Sequence, residues 1–371
     1  MDEPDFNPDD FPDNFTYGSA VSAYQVEGAA SEYGRGPSIW DTLTHKYPGA
    51  IADKSNGDVA IDFYHRYEDD LKAMNDTGLK AFRFSISWSR SGAFRDHLPL
   101  GHSSGPGGQR DYMDYTNLCF QRFGDRVKKW ITLNEPWAYA YYGYDTGEFA
   151  PGRCSPWGSC VNQTGNSATE PYIVTHNMLL AHAAAVQQYR EQYASQKGSI
   201  GITLCTYWME PFNSSDISDI EAAKRALDFN YGWYMDPLTY GRYPASMVEY
   251  VGGRLPNFTT AESEMIKGSY DFIGLNYYTS RYVKYDNESF IDAEHMLDKD
   301  PVIYVTENGN EDKVDVRGYF AWSFFDNFEW SSGYTQRFGL TYINYTDNLA
   351  RVPKASRIWF RSKLTNPQNS K

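Results

Sequence analysis

The 371 residues suffice for roughly two average domains of about 150 residues, or for one α/β barrel. With 41% hydrophobic and 22% charged residues, and 30 Gly and 18 Pro spread along the chain, the composition excludes collagen, low-complexity disorder and a long coiled coil. Lys plus Arg number 34 against 48 Asp plus Glu, a formal net charge of −14, which is the wrong sign for nucleic acid or an anionic membrane.

The N-terminal run Met1-Asp2-Glu3-Pro4-Asp5 is acidic and lacks the basic and apolar regions of a signal peptide. Short β-rich runs then alternate with longer helical ones, the pattern of a parallel sheet with helices outside it. Strands are expected over Thr16 to Tyr24, Lys80 to Trp88, Val127 to Leu133, Ser199 to Trp208, Tyr270 to Tyr278, Val302 to Glu307 and Val316 to Phe324. Helices are expected over Asp58 to Asn75, Tyr112 to Phe123, Glu170 to Tyr193 and Asp219 to Tyr231. No run of about 18 apolar residues offers a membrane span. No linker divides the chain, so residues 1–371 read as a single domain. Each strand ends in polar or aromatic residues that a buried strand would not need. In a (β/α)8 barrel those ends converge on one site.

Two of them are carboxylates. Thr132-Leu133-Asn134-Glu135-Pro136 and Thr306-Glu307-Asn308-Gly309 each put a Glu at the end of an apolar strand, followed by a chain-turning residue. Taken singly, each is a solvated strand-end charge. On two strands of one barrel they supply what glycosidic cleavage needs, an acid for the leaving oxygen and a carboxylate that attacks or activates water. The aromatic count, 31 Tyr, 21 Phe and 10 Trp, exceeds the needs of a core and suits a sugar ligand.

Asn-x-Ser/Thr sequons begin at Asn14, Asn75, Asn162, Asn213, Asn257, Asn287 and Asn344, pointing to a glycoprotein of the secretory pathway. Cys154 and Cys160 bracket a short polar loop and suit a local disulfide, whereas Cys119 and Cys205 read as small core residues. No Cys/His spacing forms a metal site, no cofactor is implied, and no oligomeric state is signalled.

The runs Phe15-Thr-Tyr-Gly-Ser-Ala-Val-Ser-Ala-Tyr-Gln-Val-Glu-Gly28, Phe82-Arg-Phe-Ser-Ile-Ser-Trp-Ser-Arg90, Trp130-Ile-Thr-Leu-Asn-Glu-Pro-Trp137, Phe272-Ile-Gly-Leu-Asn-Tyr-Tyr-Thr279, Val305-Thr-Glu-Asn-Gly309 and Tyr319-Phe-Ala-Trp-Ser-Phe-Phe-Asp-Asn-Phe-Glu-Trp330 resemble glycoside hydrolase family 1. They follow the family's order and span nearly the whole chain. The wording around Ala150-Pro-Gly-Arg-Cys154 is most similar to the plant β-glucosidases. The resemblance implies a TIM (β/α)8 barrel and a retaining, two-step hydrolysis of terminal β-D-glucosyl residues from small-molecule β-glucosides. It makes Glu135 the general acid/base and Glu307 the nucleophile, which Tyr278 orients. Asn134 holds the sugar 2-hydroxyl, while Gln25, Glu329 and Trp330 contact distal hydroxyls. Trp322 stacks on the sugar and Phe338 completes the wall. Asn276 is open between a ligand contact and a strand-end backbone bond. Arg83 reads as an ion-pair partner near Glu307.

The chain also departs from the family. Residues 91–110 form a Gly/Pro/Ser-rich segment where the third barrel strand, ending in His-Trp-Asp, is expected. A second shortening lies between Arg281 and Pro301. From Asn308 to Lys313 only six residues join two strands, whereas a parallel crossover with its helix takes about 10 to 12. The barrel is therefore expected to be incomplete, open beside its second strand, with outer-face residues such as Phe320 uncovered. Two other readings stand beside this one: a catalytically silent sugar-binding or regulatory relative, favoured by the missing His-Trp-Asp strand, and a transglucosidase that passes glucose to an alcohol with the same residues. If the site is complete, the carboxyls of Glu135 and Glu307 should stand about 5 to 5.5 Å apart.

Overall fold

The computed structural model of the chain describes residue 8 and residues 11–90, 106–286 and 317–365. Its strands are β1 (Thr16–Ala20), β2 (Ala81–Arg83), β3 (Lys129–Asn134), β4 (Ser199–Pro211), β5 (Phe272–Val283), β6 (Gly318–Ala321), β7 (Thr341–Asn344) and β8 (Ala350–Pro353). Six of the seven expected strands therefore form, and the seventh, 302–307, lies outside the described residues. The chain divides into two compact units, Met1–Arg95 with Asn310–Lys371, and Asp96–Gly309.

In the first unit β2, β1 and β6 make a three-stranded sheet, parallel throughout. Gly18 sits at the crowded centre of β1, where a Cβ would come within 2.6 Å of the Phe320 ring, so no larger residue fits. Val26, Ile61, Met74, Phe324, Phe325 and Ile343 close the core beside this sheet. Arg351 on β8 grips both carboxylate oxygens of buried Asp70, at 3.0 and 2.9 Å, joining segments 281 residues apart. The helix expected from Asp58 begins at Phe63, because Ala60 and Asp62 take left-handed backbone that cannot continue a helix. β2 stops at Arg83 rather than reaching Trp88: Ser85 turns its hydroxyl to the N–H of Ala23, drawing the chain out of the sheet. Phe320 is exposed but is not the outer-face residue expected: it pairs with Gly18, and its neighbour Tyr319, on the other face, stacks on Phe360 of the helix Ala355–Leu364.

In the second unit β3, β4 and β5 form another parallel sheet in that order. Ile200, Ile202 and Leu204 alternate onto one face, and Ile202 and Leu204 pack against Leu179 and Ala183 of the helix Glu170–Gln192. Trp233, Tyr234 and Leu238 extend the same core. The helix expected from Tyr112 starts earlier, at Pro106, through Gly107-Gly108 that read as loop. β4 and β5 run 13 and 12 residues, paired from Gly201↔Phe272 to Pro211↔Val283, about twice the common strand length of 5 to 6. Between Thr206↔Tyr277 and Trp208↔Ser280 the longer arm belongs to β5, so β5 carries a bulge of one extra residue.

Candidate active site

The second unit brings three of the expected site residues together, Asn134, Glu135 and Asn276. β3 ends in Asn134, and Glu135 follows in left-handed backbone, φ 48° and ψ 55°, before Pro136 opens the helix Pro136–Tyr144. The Glu135 N–H donates to the carbonyl of Thr203 on β4, which anchors the turn to the sheet. From β5, the Asn276 amide donates to Oε1 of Glu135 at 2.5 Å and to Oδ1 of Asn134 at 3.2 Å. The Asn276 side chain thus bonds two side chains rather than strand-end backbone. A carboxyl group is held at the C-terminal end of a parallel sheet, one oxygen fixed by a neutral donor. That is a group able to exchange a proton with a ligand oxygen.

Around it stand Cys205, which pairs in register with Asn276, and Tyr207 two residues on. Burial raises the Cys205 thiol far above its ordinary range, and the charge of Glu135 adds to it. Burial likewise raises Tyr207, with smaller contributions from Cys205 and Glu135. Trp137, two residues after Glu135, is buried, donates to the carbonyl of Phe229 at 3.2 Å and stacks on Tyr141 at 4.7 Å. Tyr278, in the bulged stretch of β5, is 62% exposed. Glu307 and Asn308 lie outside the described residues, and with them the partner expected for Arg83 and the expected carboxyl separation.

The first unit gathers another group. Gln25, wholly buried in the short helix Ala23–Val26, donates its amide to Oδ1 of Asn327 at 2.9 Å and to the carbonyl of Phe328 at 2.8 Å, with Oε2 of Glu329 at 3.5 Å. Asn327 is itself fixed by donating to Ser323 Oγ and the Phe325 carbonyl. The amide faces three acceptors, which sets the orientation of Gln25, and among the described residues its buried Oε1 has no donor. A buried acceptor in that state is costly until a hydroxyl or water supplies a proton. Glu329 and Trp330 follow, and Trp330 packs on Trp40 at 4.8 Å between centroids. Trp322 is half-buried just after β6, and Phe338 is exposed. Asn327, which orients Gln25, was not singled out from the sequence, although it stands inside the Phe325-Asp-Asn-Phe-Glu329 run of the family motif.

Cys154 and Cys160 form the disulfide. Arg153 braces the same loop with two bonds to the carboxylate of Glu170. Of the sequon asparagines, Asn14, Asn75, Asn213 and Asn257 are exposed. Asn162 and Asn344 are half-buried and accept bonds from Thr164 and Thr346, and Asn287 lies outside the described residues. Among the described residues no helix is long and apolar enough to cross a membrane. No group of three or more His, Cys, Asp or Glu there is arranged to hold a metal ion.

The Glycosyl hydrolase family 1 profile matches residues 7–105, 109–301 and 298–368. The chain is 43% identical to Beta-glucosidase 24 of Oryza sativa subsp. japonica, covering 96% of this chain and 94% of the rice protein. That alignment runs over 473 positions, more than the 371 residues of the chain, so the rice protein carries internal segments that this chain does not. It is 42% identical to the Furostanol glycoside 26-O-beta-glucosidase of Hellenia speciosa, over 95% of this chain and 83% of that protein. Among solved structures, a rice β-glucosidase in a covalent complex with Glc superposes with a TM-score of 0.87 at 36% identity, over 97% of this chain and 100% of that one. A family 1 β-glucosidase of the fungus Humicola insolens, solved with glucose, gives 0.84 at 34% identity, over 94% and 96%. The fold class is the TIM barrel of these α/β enzymes.

Proposed function

The chain belongs to glycosyl hydrolase family 1, and from that premise we propose that it is a retaining β-glucosidase acting on small-molecule β-glucosides. The observation that carries this reading is the Asn134–Glu135–Asn276 cluster, which holds a carboxyl group at the end of β3 by a donor from β5, on the far side of β4. In the first step Glu307 attacks the anomeric carbon while Glu135 gives its proton to the leaving oxygen, breaking the glycosidic bond and forming a glycosyl-enzyme. In the second, Glu135 takes a proton from water, which displaces Glu307 and regenerates both groups. Asn134 holds the 2-hydroxyl. The unfilled acceptor of Gln25 takes a hydroxyl proton, with Glu329, Trp330, Trp322 and Phe338 serving the rest of the sugar and Tyr278 orienting the nucleophile.

Azide separates the two roles. In Glu307→Ala, azide attacks directly with one inversion and yields the α-glucosyl azide from 4-nitrophenyl β-D-glucoside. In Glu135→Ala, it intercepts the glycosyl-enzyme and yields the β-azide. Chromogen release that both substitutions leave intact would overturn the assignment.

We further propose that residues 91–110 stand where a third barrel strand has been lost, a reading supported by the alignment longer than the chain. The disulfide and the exposed sequons support passage through the secretory pathway.

A further inference from the structure

β5 does not stop at the level of Asn276. Side chains alternate along a strand, so Asn276 and Arg281, five residues apart, would face opposite sides of a regular β5. The one-residue bulge between Tyr277 and Ser280 reverses that parity. Asn276 pairs with Cys205 and Arg281 with Met209, two positions of β4 that share a face with Tyr207. The guanidinium accordingly lies over the Tyr207 ring, 4.1 Å from its centroid. Tyr207 in turn packs edge-on to Trp137, two residues after Glu135. Among the described residues no carboxylate pairs with Arg281, and its Nε is buried without a hydrogen-bond partner. The side chain thus presents an unmatched positive charge on an aromatic support, on the face that carries the acid/base candidate.

We propose that Arg281 is a specificity-determining residue for the leaving group, selecting β-glucosides whose aglycone bears an anionic group such as a carboxylate. The inference rests on the β-glucosidase reading, in which the group that protonates the leaving oxygen is Glu135. A carboxylate suits Arg281 because Arg offers planar, paired donors, and Tyr207, half-buried beneath the guanidinium, supplies an aromatic support beside it.

The test compares 4-carboxyphenyl and 4-carboxamidophenyl β-D-glucosides, matched in shape and different in charge, with 4-nitrophenyl β-D-glucoside as the reference. The intact protein should favour the carboxylate over the carboxamide in kcat/KM by about tenfold, and the ratio should collapse in Arg281→Met and persist in Arg281→Lys. Raising salt from about 20 mM to about 500 mM should shrink the ratio in the unmutated protein, a measurement that needs no variant to fold. Turnover of the reference with no preference for the carboxylate, or an equal effect of Arg281→Met on both matched substrates, overturns this inference alone. No turnover of any of the three overturns the β-glucosidase reading and the inference with it.

Discussion

A single amide decides much of the local chemistry. Asn276 binds one oxygen of Glu135 and one of Asn134, so it sets the angle of the carboxyl and the position of the neighbouring amide together. The oxygen that accepts from Asn276 is favoured as the carbonyl of the protonated acid, leaving the proton to Oε2. Asn276→Ala removes that preference and should lower kcat/KM on 4-nitrophenyl β-D-glucoside by about 10- to 100-fold, the range expected for a hydrogen bond to a charged group. Initial-rate kinetics check this, and a change within about twofold would show that Asn276 does not position the acid. Gln25 is the converse case. Its amide hydrogens are spent on Asn327 and Phe328, so a ligand meets an acceptor there and must bring a donor.

At the scale of elements, the loop from Arg153 to Glu170 is held by a covalent tie and a paired ion bridge at its base. Closing so short a loop constrains the unfolded chain modestly, and Cys154→Ser should cost about 2 kcal/mol, read as a shift in the denaturant midpoint of the oxidised protein. The strands themselves were legible because each is an apolar run stopped by Gly, Pro or a polar pair, and β1, β3 and β4 begin at or within two residues of where that pattern places them. The β7–β8 hairpin was not legible: Thr341–Asn344 and Ala350–Pro353 are four residues each, too short to show alternation against their surroundings. Nor was the bulge in β5, since register depends on the partner strand and leaves no mark in Tyr277-Tyr278-Thr279. Glu135 as the candidate acid was readable from its Asn-Glu-Pro context. Arg281 was not, because its placement follows from that unseen extra residue.

For the molecule as a whole, titration of buried groups outweighs surface pairs. His182, buried in the helix Glu170–Gln192 and bonded to Thr132, is held down to about 4 by burial. The unfolded chain takes up a proton there near 6.5 and the folded chain only near 4, so between those values the unfolded state binds more protons and acidification destabilises the fold. Above 6.5 both forms are neutral and the effect vanishes. The loss amounts to about 3 kcal/mol across the full window. His176, also lowered by burial, acts with the same sign. Burial raises the carboxyls of Asp70 and Glu27, which opposes the histidines in the lower part of that window. Urea unfolding at pH 7 and pH 5 should therefore show a smaller stability difference in His182→Gln than in the unmutated protein; an equal difference would remove His182 from the account. The shortened chain bears on the same scale. If the barrel lacks covering segments, the exposed outer-face residue on β6 is Tyr319, since Phe320 pairs with Gly18 and points to the opposite face.

The backbone at Glu135 has a consequence for how such a protein could change over generations. Left-handed φ is costly for any side chain with a Cβ, and the residue before a proline is pushed away from compact conformations, so the fold alone would place glycine there. Keeping a carboxyl at that turn costs about 1 kcal/mol. If Glu135 is the acid/base proposed above, selection for catalysis and selection for stability pull in opposite directions at one codon. A lineage freed from the need to cleave glucosides would gain robustness by losing this residue, and a sturdier descendant would be the less capable one.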